Sequence, residues 1–265
     1  MPAVKQPAPE VAMRLQTDDV DASRRWRLSA LVPAYGRPAW FGPGRHPDSA
    51  DDFGSVASLQ HIARTLALGQ FDLALIDPAS RADAPGAFDP WLGAMALALA
   101  APGLRVGLRR APLRRAAAPD IASLLGGQWA GLLSASQPVL SVRVLVAANR
   151  WMAEDQLAYV LRHYPTTPVQ AGRRDDDIPT VVGTPKEVAD GLEELFAKHG
   201  SESDQAGQVD QPDRTGQAGG PGAPMLELVP VHIPGSYEAF VRMVVPQLRL
   251  RGLIGEHGSP WRPTT

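Results

Sequence analysis

The chain has 265 residues, of which 44% are hydrophobic, with 26 basic against 28 acidic side chains for a net charge of −2. That length holds one domain or two small ones, and the near-neutral balance argues against nucleic acid as a partner. There is no cysteine, which excludes disulfides, thiolate catalysis and zinc–cysteine sites.

Residues 1–24 are polar, proline-containing and aperiodic, the pattern of a mobile tail, and they lack the apolar run of a secretory signal. Arg27–Tyr35 (RLSALVPAY) is a strand candidate. Val56, Leu59, Ile62, Ala63 and Leu66 follow at helical spacing, with Gly69 placed to end that helix. Phe71–Asp77 (FDLALID) is a short apolar run of the length buried parallel strands have. Asp89 and Pro90 then stand at N-cap and N1 of a helix reaching about Ala101.

Leu104–Leu108 is a third strand and GGQWAGLLSA (Gly126–Ala135) carries a fourth, after a proline-interrupted helix over Pro112–Leu125. Val142–Ala148 (VRVLVAA) is a strand and Met152–His163 a helix. Thr184-Pro185-Lys186-Glu187 is a capping box with proline at N1, predicting a helix to Lys198. Residues 201–224 are rich in Gly, Pro, Gln, Asp and Ser and read as a disordered insertion. Leu226–His232 (LELVPVH) and a helix from Tyr237 to Arg251, closed by Gly252, finish the pattern. The units are therefore a tail at 1–24, a main part at 25–200, the insertion at 201–224, and a last strand, helix and tail at 225–265. Strand–helix alternation of this kind predicts an α/β fold with a parallel sheet of about six strands. No GxGxxG follows the first strand, so a barrel is favoured over a dinucleotide fold.

Two blocks resemble a known family. VVGTPKEVADGLEELF (Val181–Phe196) and YEAFVRMVVPQLRLRGL (Tyr237–Leu253) are similar to the last two helices of luciferase-like, flavin-dependent monooxygenases of the nitrilotriacetate monooxygenase type. Proline inside a helix costs about 3 kcal/mol, so Pro246 within the second block is informative. Trp40, the segment Ala63–Asp72, and Pro112–Gly131 agree with the family in order. The resemblance implies an incomplete (β/α)8 TIM-like barrel, reduced FMN as cofactor, a separate flavin reductase as a possible partner, and oxidation of a small organic substrate. It also implies pairing of subunits as a homodimer or a heterodimer with a related chain.

The departures fall on the chemistry. Where the family has Arg, Trp and Asn after paired glycines, this chain has Gln128, Gly131 and Leu132, and leucine cannot hydrogen-bond a flavin edge. Asp77 stands one position early at the end of strand two, and Arg109 and Arg110 replace small hydroxyl residues after strand three. Two βα units, including the family's phosphate loop, are missing between the fourth strand and VRVLVAA, which predicts unpaired strand edges there.

Asp77 and His46 are the catalytic candidates; Trp40, Asp77, Arg109 and Gly131 are the cofactor-binding ones. Against them stand bland roles: a turn residue before Pro78, loop packing, and a solvated arginine-rich surface. The Arg173–Asp177 run has no further ligands at metal spacing, so no metal is expected. No apolar stretch reaches membrane-spanning length, and a cytoplasmic location is expected. Two functions follow from the resemblance: a divergent, non-catalytic or partner-binding homologue with a degraded flavin site, or an active FMNH2-dependent monooxygenase.

Overall fold

A computed structural model describes residues 26–33, 55–77, 88–109, 123–132, 139–163, 178–206 and 225–255. Seven parallel strands make one sheet: β1 (Arg27–Pro33), β2 (Leu73–Asp77), β3 (Arg105–Leu108), β4 (Trp129–Leu132), β5 (Val139–Val146), β6 (Thr180–Gly183) and β7 (Met225–Val229). The helices are α1 (Val56–Leu68), α2 (Pro90–Ala100), α3 (Arg150–His163), α4 (Pro185–Ala206), α5 (Gly235–Ala239) and α6 (Val245–Leu250), the last two joined by a π turn at Phe240–Val244. The strand order is β4-β3-β2-β1-β7-β5-β6.

Local chemistry accounts for the helix ends. The Ser55 hydroxyl accepts from Ser58 N–H, and Asp89 accepts from the N–H groups of Trp91 and Leu92. At α4 the Thr184 N–H donates to Glu187 Oε2 at 2.8 Å and the Thr184 hydroxyl closes the box. That backbone bond holds the Glu187 carboxyl below its ordinary range. Gly252, at φ 70°, takes the left-handed position that ends α6.

Pro246 explains the π turn. It has no N–H for the carbonyl four residues back, so the ladder shifts, and Val245 N–H reaches Phe240 O five residues back.

The main core lies between the sheet and α1, α2, α4 and the last helices. Ala30, Val32, Ile76, Val106, Val144 and Leu228 face it, with Ile62, Leu97, Leu192 and Phe240 opposite. The alternate residues Leu31, Leu73, Leu75, Met225 and Val229 form a second cluster on the inner face. Trp26 stacks on Phe196 with centroids 3.9 Å apart, and its backbone N–H donates to Leu253 O, tying the start of the sheet to both closing helices.

Three expectations change. The sheet has seven strands rather than six, because Thr180–Gly183 pairs with β5 instead of merely leading into its helix. Of the two strands between which an edge is expected, the fourth, Trp129–Leu132, is an edge among the described strands, while Val142–Ala148 is not: β5 is paired on both sides, by β6 and β7, and the other edge is β6. The helix ending at Lys198 by composition runs to Ala206, six residues into the segment starting at Ser201. The helix over Pro112–Leu125 lies largely outside the described residues, as do residues 1–25 and 207–224.

One crossover is reversed. The steps β1 to β2, β2 to β3 and β6 to β7 run one way along the sheet, while β5 to β6 runs the other. Right-handed crossovers then put α3 on the face opposite α1, α2 and α4. Packing agrees: Ala153 and Leu157 of α3 cluster with Leu145 and Val182, whereas Val144, Val146 and Val181 join the main core.

Candidate functional site

A row of polar side chains crosses the inner face. Ser29 on β1 and Ser141 on β5 are both in register with Glu227 on β7, and all three are buried. The Ser141 hydroxyl donates to Glu227 Oε2 at 2.6 Å, and the Ser29 hydroxyl to Leu226 O at 3.2 Å. Arg109, just past β3, donates to the same Glu227 oxygen at 3.1 Å. A carboxylate 1% exposed is tolerated because a cation and a hydroxyl meet it there.

Asp77 ends β2 on the face shared with Leu73 and Leu75, is 3% exposed, and lies opposite Pro33 in the ladder. It thus stands at the carboxyl end of the strands and toward the interior, where barrel sites form. Gly131 pairs with Gly107 across β4 and β3, next to an irregularity in that ladder. Trp40 and His46 lie outside the described residues. The structure therefore brings Asp77 and Arg109 to one face.

Sequence reasoning missed Glu227, the centre of this row. Its signal was a lone acidic residue in the apolar run LELV, where burial demands a partner. Gln128 was noted only as a departure; its Nε2 approaches the carbonyls of Ala98, Ala101 and Leu104 at 3.2 Å each. It fastens the end of α2 to the start of β4. His61, on α1, meets Glu238 at 2.6 Å.

Tyr237 is fully buried below the closing turn, with its hydroxyl donating to Leu31 O at 2.5 Å. Burial raises its pKa well above the ordinary phenol value. His232 is shifted the other way: burial lowers it to about 4 despite the nearby Glu238 carboxylate, so its imidazole is neutral at pH 7. Ser236 Oγ accepts from the N–H groups of Val231 and His232.

The helix starts near the strands' carboxyl ends matter for anion binding, which uses the free N–H groups there. In α1, α2, α3 and α4 part of that donor set already meets a side chain of the same cap: Ser58 N–H at Ser55, Trp91 and Leu92 N–H at Asp89, Met152 N–H at Asn149, and Glu187 N–H at Thr184. Among the described residues no three His, Asp or Glu side chains gather as metal ligands would. No helix there is long and apolar enough to cross a membrane.

Comparison with known proteins places this geometry. No family model matches the sequence, and no curated protein does. Solved structures do. An EDTA monooxygenase from a Chelativorans species aligns with a TM-score of 0.57 at 12% identity, over 88% of this chain and 95% of the enzyme. A long-chain alkane monooxygenase gives 0.52 at 12%, over 88% and 93%. A riboflavin lyase, solved with modified FMN and riboflavin, gives 0.51 at 14%, over 87% and 93%. The chain has the luciferase-like, TIM-barrel-like fold of these enzymes. In this chain the barrel is incomplete, open between β4 and β6 among the described strands.

Proposed function

We propose that the chain is a shortened, divergent member of the luciferase-like flavin monooxygenase superfamily, of the nitrilotriacetate monooxygenase type, that works as a non-catalytic, partner-binding subunit. The observation that carries this reading is the state of the helix starts. A flavin phosphate would have to share the starts of α1 to α4 with their internal caps, and at α2 and α4 the cap includes a carboxylate that repels it. Arg109, a described inner-face cation just past β3, is tied to Glu227 and is not arranged as a phosphate clamp. The described residues do not fit FMN well, and no reaction step is derived through it.

Titration of the purified chain with oxidised and reduced FMN, by fluorescence and calorimetry, tests this. Each lost charge-assisted contact removes about 1.5–3 kcal/mol, so binding weaker by several orders of magnitude than a flavoenzyme's is expected. Submicromolar binding would favour the second reading, an active FMNH2-dependent monooxygenase fed by a flavin reductase. Buried Asp77, at the inner carboxyl end of β2, is the observation in its favour.

A further inference from the structure

A pocket of about 720 Å3 opens where β5 and β7 part, away from the Arg109–Glu227 row. Pairing between the two strands ends at Arg143 and Val229. Beyond it β5 continues into α3 on one face of the sheet, and β7 into α5 and the π turn on the other. Adjacent parallel strands whose connections leave to opposite faces create a crevice at their carboxyl ends, the preferred ligand position in parallel sheets. The volume falls within the range of small-molecule sites, roughly 300–1,000 Å3.

Five consecutive residues, Val144 to Ala148, line this crevice, so β5 presents its backbone edge as well as its side chains. The N–H groups of Arg143 and Ala147 donate to the carbonyls of Pro179, just before β6, and Gly183, at its end. Strand alternation therefore turns the N–H and C=O of Val146 toward the opposite edge, into the crevice. The Val231 N–H on the β7 side is taken by Ser236 Oγ and does not extend the ladder. Around this edge stand Met152 and Tyr159 of α3 and Met243 of the π turn, and π turns recur at functional sites. Charges at the rim are mixed: Arg242 against Asp155 and Glu238, with the neutral His232 beside them.

We propose that this crevice binds an uncharged, flat organic molecule with an apolar body and an adjacent donor–acceptor pair, which docks on the Val146 edge of β5. With one arginine against two carboxylates at the rim, one of them already meeting His61, an anion gains nothing there. Thioether and aliphatic walls suit a ring, and a neighbouring N–H and C=O suit a lactam-like edge. This site shares no residue with the Arg109–Glu227 row and does not rest on the flavin reading, so each fails or survives alone.

The probe is 2-quinolone, an uncharged bicyclic lactam, titrated into the full chain by calorimetry and ligand-observed NMR. One-site binding in the micromolar range is expected. N-methyl-2-quinolone, which lacks the donor, should bind about tenfold more weakly, the equivalent of one neutral hydrogen bond, and quinoline-2-carboxylate no better. Ala148→Trp fills the mouth at an exposed position and should abolish binding with an unchanged melting temperature; Met243→Trp serves the same purpose if the first variant fails to fold. No binding at millimolar probe, equal binding of the N-methyl compound, tighter binding of the carboxylate, or retained binding in a folded blocked variant would overturn the proposal.

Discussion

Arg109 and Glu227 meet at 3.1 Å although their strands, β3 and β7, are three places apart in the sheet. In a flat sheet that separation is about 14 Å, more than an arginine side chain spans. The contact therefore reports a sheet curled enough for opposite strands to touch across the interior, the property that makes this an incomplete barrel and not an open sheet. The pair is asymmetric: Arg109 keeps 20% of its side chain in solvent and Glu227 keeps 1%.

That asymmetry predicts unequal variants. Arg109→Met leaves a buried carboxylate facing chiefly the Ser141 hydroxyl, and breaking a buried pair this way costs about 3–5 kcal/mol. Glu227→Leu leaves a cation that can turn to water, so a loss of about 1–2 kcal/mol is expected. The double variant should recover most of the Arg109→Met loss. Urea unfolding of the three proteins measures this; equal costs for the two single variants would mean that burial does not control the pair.

Tyr237 gives an alkaline signature. Its folded-state pKa is raised by burial while the unfolded chain titrates near the ordinary phenol value of 10.0. The unfolded state therefore releases a proton that the folded state keeps, and stability falls as pH rises above that value. Tyr237→Phe loses the bond to Leu31 O, about 1 kcal/mol at neutral pH, but should flatten the decline between pH 9 and roughly 11. Parallel alkaline slopes for the two proteins would assign the decline to other groups.

His232 acts on the acid side. Its pKa falls from 6.5 to about 4 on folding, so the unfolded chain binds a proton first as pH drops. Stability is intact above 6.5 and is lost as pH falls toward 4, by on the order of 3 kcal/mol from this group. A His232→Gln variant should lack that slope. NMR titration of the imidazole supplies the direct check, and a midpoint near 6.5 in the folded protein would refute the burial argument.

Much of this was legible in the sequence because the relevant interactions are local. Asp89-Pro90 and Thr184-Pro185-Lys186-Glu187 cap their helices as composition predicted, and Gly69 and Gly252 end theirs. The apolar runs became strands to within a few residues. What stayed hidden depends on contacts distant in sequence. TVVG holds three β-branched residues, but so short a run ahead of a helix cap reads equally as a lead-in until β5 lies beside it. Glu227 acquires meaning only through Ser141 and Arg109, 86 and 118 residues away. Arg109 looked like part of a basic surface because its acceptor lies across the interior.

The same sheet makes a prediction about assembly. Among the described strands, β6 pairs only with β5 and β4 only with β3, and neither TVVG nor WAGL carries a charge to deter another strand. Along β6, Pro179 O and Gly183 O face β5, so alternation turns the N–H and C=O of Thr180 and Val182 outward. A second copy, or a related subunit, that adds a strand or helix there would satisfy those groups, as the partner-binding reading requires. Sedimentation at low micromolar concentration should then show a dimer, or the chain should co-purify with a relative. Thr180→Pro removes one outward N–H at the first residue of the strand, where proline is tolerated, and leaves the β5 ladder intact. Dimer affinity should fall about tenfold for one lost hydrogen bond, with the melting temperature of the dilute protein unchanged. A wild-type chain that stays monomeric at tens of micromolar and recruits no relative would remove the edge from the argument. A dimer indifferent to Thr180→Pro would instead place the interface on β4 or on the helices.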